Sequence, residues 1–282
     1  PPGNPVPASG EFQDLADPLR ELCGRAGEAI MSHYASENAG EHSAKSDESP
    51  LTAADLASHR ILVDGLAAFQ LPVLSEESPP EVAAQRRGWT RFWLVDPLDG
   101  TREFLERTGE FTINVALVDA GRAVLGMVAV PGEGACYLGV PGQGAWVHRG
   151  QHWETLGTRP LTPGQPLVVH TSRRHRGRKL DACLDGLAAA GYPVERRHAG
   201  SALKFCELAR GAGDFYPRVA PCSEWDTAAG QALLEGAGGA VIDERGKPLR
   251  YNQRDSLLSP HFLAVADPRQ PIWQVLLQDL DR

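Results

Sequence analysis

No stretch of this 282-residue chain stays apolar for the ~18–20 residues that a membrane-spanning helix needs. The first residues, PPGNPVPASGE, lack the charged-then-apolar layout of a secretory signal and are expected to be a flexible or trimmed end outside the fold. Cysteine is scarce. The five thiols, Cys23, Cys136, Cys183, Cys206 and Cys222, are odd in number, far apart and form no C-x-x-C. That argues against a disulfide framework or a zinc site, and for reduced thiols in a cytoplasmic protein, with peripheral attachment to the inner membrane as the alternative address. Basic residues are outnumbered, 28 Lys+Arg against 36 Asp+Glu for a net charge of −8. Duplex nucleic acid selects a basic footprint, so a generic DNA or RNA binder is a poor fit. Internal repeats and low-complexity tracts are missing too, which sets aside solenoids and disordered chains.

What is present is ordinary for a globular protein: 42% hydrophobic and 23% charged residues, in a chain long enough for a large core. Leu15, Leu19, Leu22, Cys23, Ala26 and Ile30 recur at helical spacing and predict a helix over about 12–35. Residues 36–50 are polar and turn-rich, and a second helix is expected from Thr52 to Phe69. Short apolar runs at 72–75, 91–96, 112–118 and 123–130 predict strands, the last two joined by a tight turn at Asp119-Ala120-Gly121-Arg122. After the Pro/Gly-rich stretch 158–166 come a strand (LVVHTS) and helices near 178–190, 201–212 and 226–236. The total is a layered mixture of α and β. A boundary near 160 is expected to separate an N-terminal α+β unit, 12–160, from a C-terminal α/β unit, 161–282.

The chemistry concentrates at element ends. In Asp96-Pro97-Leu98-Asp99-Gly100-Thr101 an apolar strand closes on a carboxylate, and a proline-set turn returns a second one three residues later. Two carboxylates and an exposed Leu98 carbonyl suit a hard cation such as Mg²⁺, whereas Thr101 can open a helix whose free N–H groups point at an anion. The same residues also serve as a plain strand-ending turn, and the alternating acids of an EF-hand loop are missing. Glu76-Glu77 ends another strand, where solvated surface is the ordinary alternative. Asp226, in Trp225-Asp226-Thr227-Ala228-Ala229-Gly230, sits where an N-cap is the alternative, and Asp55 where a capping box is.

Leu51-Thr52-Ala53-Ala54-Asp55, Leu74-Ser75-Glu76-Glu77, Asp96 through Thr101, and Trp225 through Gly230 together resemble, in order, the motifs of the inositol monophosphatase superfamily of Mg²⁺-dependent, Li⁺-sensitive phosphomonoesterases. Gly100 through Phe104, Gly109 through Leu117, Gly200-Ser201-Ala202-Leu203-Lys204-Phe205-Cys206 and Tyr216-Pro217-Arg218 look like its CysQ-type 3'(2'),5'-bisphosphate nucleotidases. The likeness covers about 45–265. It implies an α/β/α/β/α sandwich with two or three Mg²⁺ between two subdomains. Glu76, Asp96 and the Leu98 carbonyl would hold one ion, and Asp96, Asp99 and Asp226 the second, the pair clamping the attacking and leaving oxygens of an in-line displacement. Asp55 and Thr101 would orient and deprotonate the attacking water with Glu76 beside them, and the N–H groups of Gly100 and Thr101 would receive the scissile phosphate. No G-x-S-x-G is present to suggest a covalent intermediate.

Charge distribution bears on the substrate separately. Residues 170–218 hold ten Lys/Arg and five Asp/Glu, a net of +5 that leaves −13 for the rest of the chain. A basic stretch of this kind is either a solvated face or a site for an anion away from the metals. By resemblance, Ser201, Lys204 and Arg218 would bind a non-scissile 5'-phosphate, Gly200 would belong to the substrate-binding set, and His175 would lie against an adenine. Arg174 and Ala202 depart from the family pattern, each standing where a Ser is common. The expected activity is hydrolysis of 3'-phosphoadenosine 5'-phosphate to AMP and phosphate, by a monomer or homodimer acting on a small nucleotide. An inositol-1-phosphate or broad sugar phosphatase, and a non-catalytic ligand-binding homologue, are the alternatives.

Overall fold

The computed structural model describes residues 12–36, 49–173 and 177–281. The first layer is a helix pair, α1 (Ala16–Ser36) and α2 (Pro50–Leu66). Leu19, Leu22, Cys23, Ala26 and Ile30 of α1 are all buried, as their spacing predicts. α2 starts two residues before the expected Thr52. Ser49 is its N-cap, its side chain accepting the Thr52 amide at 3.2 Å, and Pro50 occupies the first turn, where a missing N–H costs nothing. The helix stops at Leu66, and a 3₁₀ turn, Ala67–Phe69, fills the rest of the expected span.

Next comes a seven-stranded sheet in sequence order: β1 (Val73–Ser75), β2 (Arg91–Asp99), β3 (Thr112–Asp119), β4 (Arg122–Val130), β5 (Ala135–Val140), β6 (Gly144–Arg149) and β7 (His152–Leu156). Only β1 and β2 pair in parallel; the short helices α3 (Pro80–Gln85) and α4 (Thr101–Leu105) lie in the connections flanking β2. Asp119 faces Arg122 across a two-residue turn in which Ala120 and Gly121 both have positive φ, 48° and 79°, the twist that suits a hairpin. Strands β5–β7 were not anticipated from sequence. They are short, and glycines within Gly139-Val140-Pro141-Gly142-Gln143-Gly144 break the apolar pattern on both sides of their turn.

The second sheet has the order β11-β12-β10-β8-β9: β8 (Leu167–Thr171), β9 (Val194–His198), β10 (Phe215–Arg218), β11 (Ala240–Asp243) and β12 (Phe262–Val265). Helices α6 (Leu203–Ala209) and α7 (Glu224–Gly236) lie between the sheets, and α5 (Arg178–Ala189) and α8 (Ile272–Asp281) cover the outer face of the second. The result is the expected α/β/α/β/α layering. Alternation along β2 shows why its sequence is continuously apolar: Trp93 and Val95 enter the core under α1 and α2, and Phe92 and Leu94 enter the core under α6 and α7. Helix α7 lies unusually close to the first sheet. A Cβ at Gly126 of β4 would meet the Ala229 carbonyl at 2.2 Å, and one at Gly139 of β5 would meet the Leu233 Cα at 2.2 Å.

Candidate active site

Four elements deliver the acids to one place. β2 ends in an irregular stretch: Asp96 pairs with Asn114 and Asp99 with Thr112, while Pro97 and Leu98 between them have no partner on β3. The chain therefore bends, and Asp96 and Asp99 come to the same side. Asp96 is buried, and its Oδ1 accepts the Leu98 amide at 3.2 Å. Asp99 Oδ2 accepts the Asn114 side-chain amide at 3.2 Å, the Ala202 backbone N–H at 2.9 Å and the Thr112 hydroxyl at 3.4 Å. Asp226 comes from the first turn of α7. Ser223 is the N-cap, so Asp226 is three residues inside the helix and not the cap itself; its Oδ2 accepts the Ser223 amide at 2.7 Å. One carboxyl oxygen thus completes the cap and the other is left for the cluster.

Asp96, Asp99 and Asp226 each place one carboxylate oxygen within 4.8 Å of the others, an arrangement able to hold a metal ion. Burial first, then the charges of Asp99, Asp226 and Glu76, push the Asp96 carboxyl well above the usual range. Asp99 is pushed up to about 7 by burial and then by Asp226, against the pull of Asn114, Lys204 and the Ala202 amide. Among the described residues no Lys or Arg forms an ion pair with any of the three. Crowded carboxylates without a paired cation are the donor set of a hard divalent ion, so the residues fit the metal that the sequence implies.

Glu76 follows β1 and is held by its amide on the Val95 carbonyl at 3.1 Å. Its carboxyl lies near those of Asp96, Asp226 and Glu77, and desolvation leads the causes that raise its pKa. Asp55 is not in a capping box. It lies a turn deeper in α2, near Glu77 and Glu76, with its Oδ1 buried and without a partner. Burial, then the charges of Glu77 and Glu76, push Asp55 up to about 8. Thr101 opens α4 and is exposed in the cleft; it shares no hydrogen bond with Asp55 among the described residues. Gly100 before it has φ +97°, and a Cβ there would meet Ser201 Oγ at 2.0 Å, so this position requires glycine twice over.

Beside the acids opens a cleft of about 300 Å³, walled by Asp99, Gly100, Thr101, Glu103, Ser201, Lys204 and Arg218 among others. Lys204 is almost wholly buried. Its Nζ donates to the Ala199 carbonyl at 3.1 Å and stands 5.1 Å from the centroid of the Tyr216 ring. Arg218 at the end of β10 donates Nε and Nη2 to the carbonyls of Ala220 and Pro221 at 3.1 and 3.0 Å, which fixes the plane of its fork. Ser201, at φ +53°, spends its hydroxyl on the Asp99 carbonyl at 3.0 Å. Gly200 is buried because Glu103 packs over it: a Cβ there would fall 2.5 Å from Glu103 Cγ. Expected His175 lies outside the described residues, as do Arg174 and Arg176.

Two sequence readings divide here. Most of the described basic residues of the stretch are on the surface: Arg196 pairs with Asp181 at 2.7 Å, Arg197 with Glu195 at 2.8 Å and Arg210 with Glu207 at 2.8 Å. Only Arg173, Lys204 and Arg218 of that stretch line the cleft among the described residues, and Arg173 is bound by both Nη groups to Glu110. Sequence reasoning missed the supports. Thr112 and Asn114 share one face of β3 at a spacing of two, polar and buried in an otherwise apolar strand, and that pattern was the available signal.

Residues 11–274 match the inositol monophosphatase family. The 3'(2'),5'-bisphosphate nucleotidase CysQ of Escherichia coli K12 is 42% identical over 250 residues, covering 88% of this chain and 98% of the relative. The CysQ of Salmonella typhimurium is 43% identical over the same length. The crystal structure of CysQ from Bacteroides thetaiotaomicron superposes with TM-score 0.81 at 37% identity, covering 92% of this chain and 99% of that one. Mycobacterium tuberculosis SuhB, with TM-score 0.72 at 22% identity, shares the fold.

Proposed function

This chain belongs to the inositol monophosphatase family, and we propose that it is a Mg²⁺-dependent 3'(2'),5'-bisphosphate nucleotidase that hydrolyses 3'-phosphoadenosine 5'-phosphate to AMP and phosphate. The observation that carries the reading is the junction of two charges: Asp99, which belongs to the acid cluster with Asp96 and Asp226, lines the same cleft as Lys204 and Arg218. A substrate with one phosphate to lose and another to be held fits that polarity. A sugar monophosphate leaves the cationic end without use.

The acids Glu76, Asp96, Asp99 and Asp226 with the Leu98 carbonyl would hold the Mg²⁺ ions, two or three of them, and the ions supply Lewis-acid stabilisation of charge on the phosphoryl oxygens. The N–H groups of Gly100 and Thr101 would donate to the scissile phosphate. Asp55, held up at about 8, lies in the range where a carboxyl trades protons near neutral pH; it would take the proton of the attacking water, oriented by the Thr101 hydroxyl. A new P–O bond forms to that water as the bond to the ribose oxygen breaks, and the leaving oxygen takes up a proton. Lys204 and the Arg218 fork would bind the second phosphate, charge against charge. Ser201 is better placed to support Asp99 through its hydroxyl than to donate it to phosphate.

Phosphate release from 3'-phosphoadenosine 5'-phosphate and from inositol 1-phosphate, measured side by side with Mg²⁺, tests the reading. The bisphosphate should turn over with the higher kcat/KM; equal or faster release from inositol 1-phosphate would overturn it. Asp99→Asn should remove nearly all activity from a folded protein, and an active variant would contradict the metal assignment. Among the described residues no helix is long and apolar enough to cross a membrane. We place the enzyme in the cytoplasm on the strength of its reduced thiols and its substrate, as a monomer or homodimer.

A further inference from the structure

Helix α2 turns three polar side chains, Asp55, Ser58 and His59, toward the acid-bearing loops, and their spacing of three and four puts them on one face. Asp55 has a part in the proposed chemistry, whereas Ser58 and His59 face the same loops without touching substrate. Ser58 is 0% exposed, and its hydroxyl donates to the Pro97 carbonyl at 2.8 Å. Pro97 lies in the bend between Asp96 and Asp99, where β3 offers no ladder partner. With no strand pairing there, Ser58 ties that bend to the body of the protein. His59 Nδ1 shares a 2.8 Å hydrogen bond with Ser75 Oγ. The same Ser75 oxygen accepts the Glu77 amide at 3.3 Å, while the Ser75 amide donates to Ser78 Oγ at 2.9 Å. Glu76 sits inside this turn, so His59 grips the loop that carries both glutamates.

We propose that Ser58 and His59 are positioning residues for the divalent-cation site: α2 holds the Glu76 turn through His59 and the Asp96–Asp99 bend through Ser58, fixing the separation of two acidic segments that arise on different strands. The inference rests on reading those acids as metal ligands. The physical need is plain. Like charges in a half-buried cluster repel and would spread the two loops, whereas Mg²⁺ tolerates little error in ligand distance. Neither side chain reaches the reacting atoms; one holds a backbone carbonyl and the other a serine. Groups that orient metal ligands in this manner are worth about 10–100-fold in metal affinity.

The experiment is calorimetric titration of chelator-treated, full-length protein with Mg²⁺, with the Mg²⁺-induced rise in Tm as a second readout. Wild type, Ser58→Ala, His59→Phe, His59→Asn and Asp99→Asn are compared. Ser58→Ala and His59→Phe should each weaken Mg²⁺ binding by about tenfold and leave the substrate KM at saturating Mg²⁺ unchanged. His59→Asn, which keeps a hydrogen-bonding group near the Nδ1 position, should recover much of the loss. Folded Ser58→Ala and His59→Phe proteins with wild-type Mg²⁺ affinity would overturn the proposal, as would a His59→Asn affinity no better than that of His59→Phe. If His59→Phe does not fold, Ser58→Ala and His59→Asn decide by the same criterion. Asp99→Asn separates the two levels: binding equal to wild type there refutes the metal site itself, whereas lost binding there with full binding in Ser58→Ala refutes the clamp alone.

Discussion

At the proposed second-phosphate site, beside the guanidinium of Arg218, Lys204 contributes an ammonium group whose charge depends on pH. Burial, then the charge of Arg218, pulls its pKa down to about 8, with Asp99, Glu103 and Glu110 opposing. The group is a cation below that value and loses its proton above it. A second phosphate should therefore bind less well as pH rises through about 8. A hydrogen bond to a charged group is worth about 1.5–3 kcal/mol, so Lys204→Gln should raise KM for the bisphosphate by about tenfold or more. Adenosine 3'-monophosphate, which lacks the second phosphate, should be affected far less, and the rise of KM above pH 8 should flatten in the variant. Steady-state kinetics on both substrates between pH 6.5 and 9 provides the measurement. Equal losses on the two would place Lys204 outside the second phosphate site.

Helix α7 shows how an element sets a site from behind. It rests on β4 and β5 through Gly126 and Gly139, where helix backbone meets strand backbone, and its first turn carries Asp226 to the other acids. Gly126→Ala has to push α7 outward, an overpacking cost of about 1–3 kcal/mol. Denaturant unfolding should show that loss, and Mg²⁺ affinity should fall with it because Asp226 moves as part of the helix. A destabilised Gly126→Ala protein with full Mg²⁺ affinity would show that Asp226 is placed independently of the helix. The contrast with what sequence revealed is instructive. In Asp96-Pro97-Leu98-Asp99-Gly100-Thr101 the carboxylate pair and the helix start were legible because they are local, yet the strand runs on to Asp99 through an irregularity at Pro97-Leu98 where a turn was expected. The tie from Ser58 to Pro97 spans 39 positions and the pair of Arg173 with Glu110 spans 63, and no local pattern marks either. Helix ends were legible only approximately: Ser49 and Pro50 were available as a cap and a first turn, yet the apolar pattern that guided the expectation begins later.

Over the whole molecule the net charge of −8 resolves into a concentrated and a dispersed part. In the basic stretch, which could have been a solvated face or an anion site, Arg196, Arg197 and Arg210 pair with acids on the exterior, whereas Asp96 and Asp99 of β2 and Asp226 of α7 converge. Such convergence has a cost that pH can reveal. Asp99 and Asp55 are raised to about 7 and about 8, and Asp96 and Glu76 are raised as well. A carboxyl raised in the folded state contributes stability in full only below its unfolded value, near 4, and loses it as pH climbs through the folded value. In the presence of chelator the protein should therefore lose stability between pH 7 and 8, by up to about 1.4 kcal/mol per pH unit for each extra proton the native state holds. His59, His148 and His170, whose values are lowered chiefly by burial, act in the opposite direction but finish titrating near pH 7 in the unfolded chain, and Lys204, lowered to about 8, offsets part of the loss only toward pH 8. Mg²⁺ binds the deprotonated acids, so its rise in Tm should be larger at pH 8 than at pH 7. Asp99→Asn removes one of the crowded charges, and in chelator at pH 8 it should melt above wild type while binding Mg²⁺ poorly. Thermal melts of both proteins at the two pH values, with chelator and with Mg²⁺, test this directly: a chelated wild type equally stable at pH 7 and 8, and no gain from Asp99→Asn, would mean that the carboxylates do not strain one another.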